Sequence, residues 1–311
     1  MLDNLLTVST QVLILFAMIA IGFVLSRCRL VSEQGVGGMT NTLLWAVTPC
    51  LIIETFSRSF DPELALSLGI FALAAALGTA LAALLSTVLF RRFGKDSAIM
   101  TFAGTFSNCG FMGLPLAQAL FGAEGVMFAS IFVVVFHLSQ WTYGYTLLSG
   151  GGISLKRLLV NPGVIGLVIG LPLFFFSVTL PDTVSQIIGS VADINTPLAM
   201  IVIGCHLAGA DLLKALSDKR VYTVCAVRLL LAPALSLLLT WLLSIPYLGA
   251  VACSVLCIEL AAPCAATSVL IGTLCGHDAE LPSRCVAIST LLSIVTLPLI
   301  SAACSMAFPL G

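Results

Sequence analysis

Charge is what this sequence has least of. Of its 311 residues, 9% are charged and 59% hydrophobic, where a soluble globular chain carries about 25% charged residues. Too few charges remain to cover a water-facing surface. The basic residues fall in small scattered groups and the formal net charge is −1, so the basic stripe that a nucleic-acid partner requires is missing. No polar join is long enough for a soluble domain. There is no Cys-x-x-Cys pair, and most of the eleven cysteines lie inside apolar runs; they read as small packing residues rather than a disulfide scaffold. The Cys205-His206 pair has no second cluster to complete a metal site, and no cofactor motif is present. His-Glu-x-x-His, Gly-x-Ser-x-Gly and paired-aspartate motifs are lacking, which argues against an intramembrane enzyme. A nucleotide-binding motif to drive transport directly is lacking as well.

What fills the chain instead is a series of uncharged apolar stretches, among them 5–25, 64–90, 97–123 and 158–180. Each exceeds the roughly 20 residues that cross ~30 Å of hydrocarbon as a helix. Lipid leaves backbone groups only helices or closed barrels, and barrel strands alternate apolar with polar, which these runs do not. The first run has no basic stretch before it and no small-residue cleavage site after it, so it reads as a membrane helix and not a signal peptide. Ten spans are predicted, at 5–26, 36–57, 63–90, 97–121, 125–148, 158–180, 183–209, 220–243, 247–273 and 284–308. Short joins separate them, such as Arg91-Arg92-Phe93-Gly94-Lys95-Asp96, Gly150-Gly151-Gly152 and Ser244-Ile245-Pro246.

Lys and Arg concentrate in cytoplasmic loops. With sides alternating from loop to loop, eleven of the thirteen basic residues fall on one side, Arg58 alone falls on the other, and Arg228 lies within a span. The expected topology has both termini outside the cytoplasm, in a cell membrane.

Five spans per half is an odd number, so a duplicated half must insert upside down, as in many secondary transporters. An offset of 148 residues pairs Ile21-Gly22 with Ile169-Gly170, Thr48-Pro49 with Thr196-Pro197, and Pro115 with Pro263. The expected fold is all-α and integral to the membrane, with repeats at 1–149 and 158–311 joined by a short cytoplasmic linker at 150–157. Proline inside a span removes a backbone donor and displaces the carbonyl four residues earlier. Span 4 combines Pro115 with Asn108, Gly110 and Gly113; span 9 carries Glu259, Pro263 and Thr267. Interrupted spans at corresponding places in two halves point to a midplane binding site, whereas small residues at the same places also suit close helix packing.

The run Ser107-Asn108-Cys109-Gly110-Phe111-Met112-Gly113-Leu114-Pro115, followed by Leu120-Phe121-Gly122-Ala123-Glu124-Gly125, resembles the fourth-helix signature of the auxin efflux carrier family. Asn161-Pro162, the segment 197–204 and Ser289-Thr290-Leu291-Leu292-Ser293-Ile294-Val295-Thr296-Leu297-Pro298 are similar to its later segments. The resemblance implies two inverted five-helix repeats crossing at broken helices 4 and 9, and transport of organic anions, with malonate, malate and auxin-like carboxylates among family substrates. Plant members bear a long central loop; only 149–156 joins the halves here, as in bacterial-type members. Span 9 has no asparagine matching Asn108.

Charge at the bilayer centre costs about 2.5 to 3.5 kcal/mol on insertion scales, so buried charges are functional candidates. Asp193, Arg228 and Glu259 lie deepest. Asp193 and Glu259 each precede a proline by four residues, stationing a carboxylate beside a displaced carbonyl that suits Na⁺ or a carried proton. Their alternative is a buried ion pair of either acid with Arg228. Glu54 lies four residues before Arg58, the spacing of an interfacial helix pair. His137, near midplane in span 5, fits a proton relay or a packing role, and Asn41 and Asn195 suit bridges between helices.

The sequence thus points to a secondary carrier moving a small organic anion, a mono- or dicarboxylate, by alternating access, with H⁺ or Na⁺ as coupling ion. The expected substrate contacts are Asn108, Gly110, Gly113, Pro115, Pro263, Thr267 and Arg228; Glu259 and Asp193 are the ion-coupling candidates, with His137 and Asn41 behind them. A channel or a ligand-binding sensor shares the composition. A homodimer stays open.

Overall fold

A computed structural model describes residues 2–151, 162–210, 212–242 and 248–308. Lys156, Arg157, Asn161, the rest of the linker past 151 and the Ser244-Ile245-Pro246 join lie outside the described residues. Among those described, every regular element is helical: α1 Leu2–Arg27, α2 Glu33–Phe56, α3 Pro62–Phe90, α4 Ser97–Thr105, α5 Cys109–Ser149, α6 Pro162–Phe175, α7 Asp182–Gly209, the short α8 Leu212–Ser217, α9 Lys219–Leu242, α10 Ala250–Ala261, α11 Thr267–Leu274 and α12 Glu280–Ala307. Seven of them (α1, α2, α3, α5, α7, α9 and α12) are long and apolar enough to cross a bilayer, and α6 and α10 are apolar but shorter. The chain is a multi-pass membrane protein.

Helix starts follow from their capping residues. Asp61 accepts from the N–H groups of Glu63 at 2.9 Å and Leu64 at 3.3 Å, with Pro62 supplying the first helical φ of α3. Asp218 caps α9 by accepting from the Arg220 N–H at 3.0 Å. Prolines shape the helix interiors. Pro49, Pro115 and Pro233 each follow a wide π turn, at Leu43–Val47, Cys109–Gly113 and Val227–Leu231. In each case the carbonyl that the proline displaces, on Trp45, Phe111 or Leu229, belongs to that turn. Widening the ladder is how the helix absorbs the missing donor without ending.

Three predicted spans are divided. Span 4 stops at Thr105 and resumes at Cys109; span 9 stops at Ala261 and resumes at Thr267. Span 7 turns at Asp193 and Ile194 before its second half begins at Asn195. Gly122, at φ 59° and ψ −143°, bends α5 where the join between the fourth and fifth predicted spans was expected; only glycine adopts that backbone readily.

Small residues set the tightest packing. α1 crosses α7 so closely that a Cβ on Gly22 would lie 2.2 Å from the Ile201 carbonyl oxygen, and one on Gly204 would lie 2.0 Å from that of Ile19. Backbone contact at such range is the small-residue mode of helix association in lipid. The expected Glu54–Arg58 pair does not form. Arg58 Nη1 meets Met127 Sδ at 3.6 Å, and Glu54 instead packs on α7, where a Cβ on Gly189 would lie 2.7 Å from its Oε1.

The helix ends gather at two faces. At the end of α3 that follows Phe90, Asp96 pairs with Arg220 at 2.6 Å, Arg220 with Asp218 at 2.7 Å, and Arg284 with Asp218 at 3.4 Å and with Glu280. His277 Nε2 lies 2.9 Å from the Leu148 carbonyl at the same face. At the other end of α3, roughly 43 Å away at 1.5 Å per residue, the Phe60 N–H donates to Ser177 Oγ at 2.9 Å and the Leu180 N–H to Ser57 Oγ at 3.2 Å.

Candidate functional site

The two interruptions meet. Phe106 and Ala262 leave their helices in extended conformation, which turns their hydrogen-bonding groups sideways. The Asn108 N–H donates to the Pro263 carbonyl at 2.7 Å and the Ala265 N–H to the Phe106 carbonyl at 2.9 Å, so that Ser107 and Cys264 face each other in a short antiparallel bridge. Ser289 Oγ, on α12, accepts from the Cys264 N–H at 3.0 Å. Four helix ends therefore converge on one place: the carboxyl ends of α4 and α10 and the amino ends of α5 and α11.

These ends differ in polarity. The first N–H groups of a helix have no intrahelical acceptor and carry its positive pole, while the last carbonyls lack donors and carry the negative one. Arg228 attends to the carbonyls. Its side chain is 0% exposed, and its guanidinium donates from Nη1 to Thr105 O at 2.8 Å and Gly104 O at 3.4 Å, from Nε to Ala262 O at 2.9 Å, and from Nη2 to Leu260 O. The ion pair with Asp193 or Glu259 that its depth suggested does not form. Its donors are directed to main-chain oxygens.

Glu259, also 0% exposed, sits in the last turn of α10. Its carboxylate lies against the first turn of α5: a Cβ on Gly113 would come within 2.1 Å of Oε2. Neither oxygen has a hydrogen-bond partner among the described residues. An ionised carboxylate so placed is costly, and a proton or a bound cation relieves the cost.

Asn108 is 5% exposed and its side-chain amide makes no hydrogen bond among the described residues. Beside it Gly110 is exposed, with nothing within 4 Å of where a Cβ would stand. Pro115 is buried behind the π turn, and Pro263 lies inside its interruption. Thr267 opens α11, its Oγ1 accepting from Gln140 Nε2 at 2.6 Å. The crossing thus brings together Asn108, Gly110, Gly113, Pro263, Thr267, Arg228 and Glu259.

Other candidates stand apart. Asp193 is exposed at the turn within α7, its N–H bonded at 2.9 Å to the carbonyl of Gly189, the glycine on which Glu54 packs; it does not join Glu259. Asn41 is exposed on α2. His137 is half-buried, its ring edge-on to Phe136 with centroids 5.2 Å apart, and its Nδ1 has no hydrogen-bond partner among the described residues. Cys205 Sγ donates to the Gly22 carbonyl at 3.3 Å, a packing contact. Ser289 and Gln140, which fasten the crossing, carried no signal as site residues; Gln140 stood out only as a neighbour of His137, and Ser289 only as part of a family-like segment.

A profile of the membrane transport protein family matches residues 7–155 and 148–301. Two similar proteins are named as uncharacterized transporters. One, from Methanothermobacter thermautotrophicus, is 26% identical over 296 residues, covering 93% of this chain and 95% of its own. The other, from Methanocaldococcus jannaschii, is 25% identical over 303 residues, covering 93% and 96%. With that match running through both halves of the sequence, the chain belongs to the auxin efflux carrier family of membrane transport proteins.

Proposed function

We propose that this protein is a secondary carrier for a small organic anion, a mono- or dicarboxylate, bound where α4–α5 and α10–α11 cross. The observation that carries the reading is the meeting of two interrupted helices in one backbone bridge beside Asn108, whose side-chain amide makes no hydrogen bond among the described residues. The amino ends of α5 and α11 offer an anion N–H groups and positive helix poles without a full counter-charge. Gly110 leaves room for a ligand against the backbone. The elements suit ten membrane helices in two inverted repeats, 1–149 and 158–311, with α4–α5 and α10–α11 as the crossing pairs. Both termini then face outward.

Glu259 cannot welcome an anion beside it unless it holds a proton or a cation such as Na⁺, so anion and cation binding are linked. Such linkage is reciprocal. In reconstituted vesicles, labelled carboxylate should exchange against unlabelled carboxylate in counterflow, and Asn108→Ala should weaken substrate affinity about tenfold, the worth of one or two polar contacts. A channel or a sensor gives no counterflow. Unchanged affinity in folded Asn108→Ala protein removes the crossing as the site.

A further inference from the structure

We infer that Arg228 is a positioning residue that gives the crossing its preference for anions without touching the anion. Four helix ends meet there, two of each polarity, and left alone their poles largely cancel. Arg228 removes the cancellation. One guanidinium reaches Gly104 and Thr105 at the end of α4 and Leu260 and Ala262 at the end of α10, so both negative poles are neutralised by the same cation. The amino end of α11 is left unopposed, and that of α5 faces only the Glu259 carboxylate. A planar fork with five donors can serve two helices at once; an ammonium on a flexible stem cannot.

The local sequence puts the guanidinium there. Pro233 demands the π turn at Val227–Leu231, and that turn carries Arg228. Glu259, the acidic residue of α10, is buried and forms no ion pair with Arg228 among the described residues. When Glu259 takes up a proton or cation, its carboxylate no longer opposes the amino end of α5, which favours the anion's arrival. This inference rests on the proposed anion site.

The test measures binding of malonate and propionate, with malonamide and propionamide as uncharged counterparts, to wild type and Arg228→Lys. Wild type should favour each acid over its amide. In Arg228→Lys, whose ammonium covers one helix end and leaves the other bare, the acids should weaken roughly ten- to thirty-fold, the upper range for a charge at a helix end, while the amides change less than twofold. Malonate and propionate should lose equally, because the effect comes through the helix ends. A loss confined to malonate means direct contact with its second carboxylate and overturns the positioning role. Parallel weakening of acids and amides means Arg228 only holds the fold, and unchanged acid binding means it does neither; both overturn the inference. If Arg228→Lys fails to fold, the double variant Arg228→Gln, Glu259→Gln removes both buried charges together, and an acid preference retained in it overturns the inference. Wild type that binds neither acid withdraws the anion site and this inference with it, whereas acid binding unaltered by the substitutions withdraws the inference alone.

Discussion

Gly113 and Glu259 fit each other as a missing side chain fits an intruding one. The Glu259 carboxylate occupies the space a Cβ on Gly113 would need, so the α5 turn and the α10 carboxylate are matched in shape. Gly113→Ala should destabilise the protein by about 1 to 3 kcal/mol, the usual cost of forcing a methyl into filled space. Glu259→Gln keeps the shape and removes the charge; it should shift stability by less than about 1 kcal/mol, since it trades an unpartnered acid for an unpartnered amide. The decisive measurement is a double-mutant cycle by unfolding in detergent: Gly113→Ala should cost much less in a Glu259→Ala background, and strict additivity would separate the two residues. Sequence placed both residues among the candidates, by their closeness to prolines, yet could not reveal that one fills the other's space. The partners of Arg228 were further out of reach. An expected acid carries a letter in the sequence, while a carbonyl at a helix end carries none.

At the scale of elements, prolines and glycines did announce broken helices, but not where they break. The match of Pro115 with Pro263 suggested equivalent interruptions. Pro263 lies inside its own, whereas the interruption at 106–108 comes ahead of Pro115 with a π turn between them. The π turns were not legible because their apolar residues continue the helical pattern unchanged. Far from the crossing, the starts of α9 and α12 and the residue before α4 are tied by Asp218, Arg220, Arg284 and Asp96. Hydrogen bonds from the Arg220 guanidinium hold the Asp218 carboxyl below the usual carboxylate range, with Arg284 adding to them. A carboxyl depressed in the folded state stabilises above its unfolded pKa of about 3.9 and loses that contribution as pH falls through the lower folded value. Asp218→Asn should therefore lower stability at pH 7 by on the order of 1 kcal/mol, modest because the Arg220 side chain is 38% exposed and solvent screens the pair. The gap between wild type and variant should persist down to the acid range and close only below it. A gap that closes near neutrality would assign the stabilisation to another group.

For the whole molecule, the arrangement of joins carries a directional prediction. Ion pairs bring the ends bearing Asp96, Asp218 and Arg284 to a single face, and the His277 bond to Leu148 adds the end of α5. The joins at 57–61 and 176–181 meet at the other face through Ser57 and Ser177. Arg91, Arg92, Lys95, Lys219, Arg220 and Arg284 belong to joins on the first face, while Arg58 belongs to the second. Lys and Arg in short loops resist translocation, so the first face should be cytoplasmic. Single cysteines introduced at Lys95 and Gly276 should then react with an impermeant thiol reagent only from the cytoplasmic side, and cysteines at Arg58 and Ser177 only from outside. The endogenous Cys28 is exposed and Cys50 and Cys275 are half-buried, so these three must first be replaced by serine to keep the background dark. A reporter fusion at Gly151 that is active only outside the cytoplasm, or labelling of Lys95→Cys from outside, would reverse the orientation. Labelling of Lys95→Cys and Gly276→Cys from opposite sides would contradict their common face, and with it the way the two interrupted helices run from that face to the crossing.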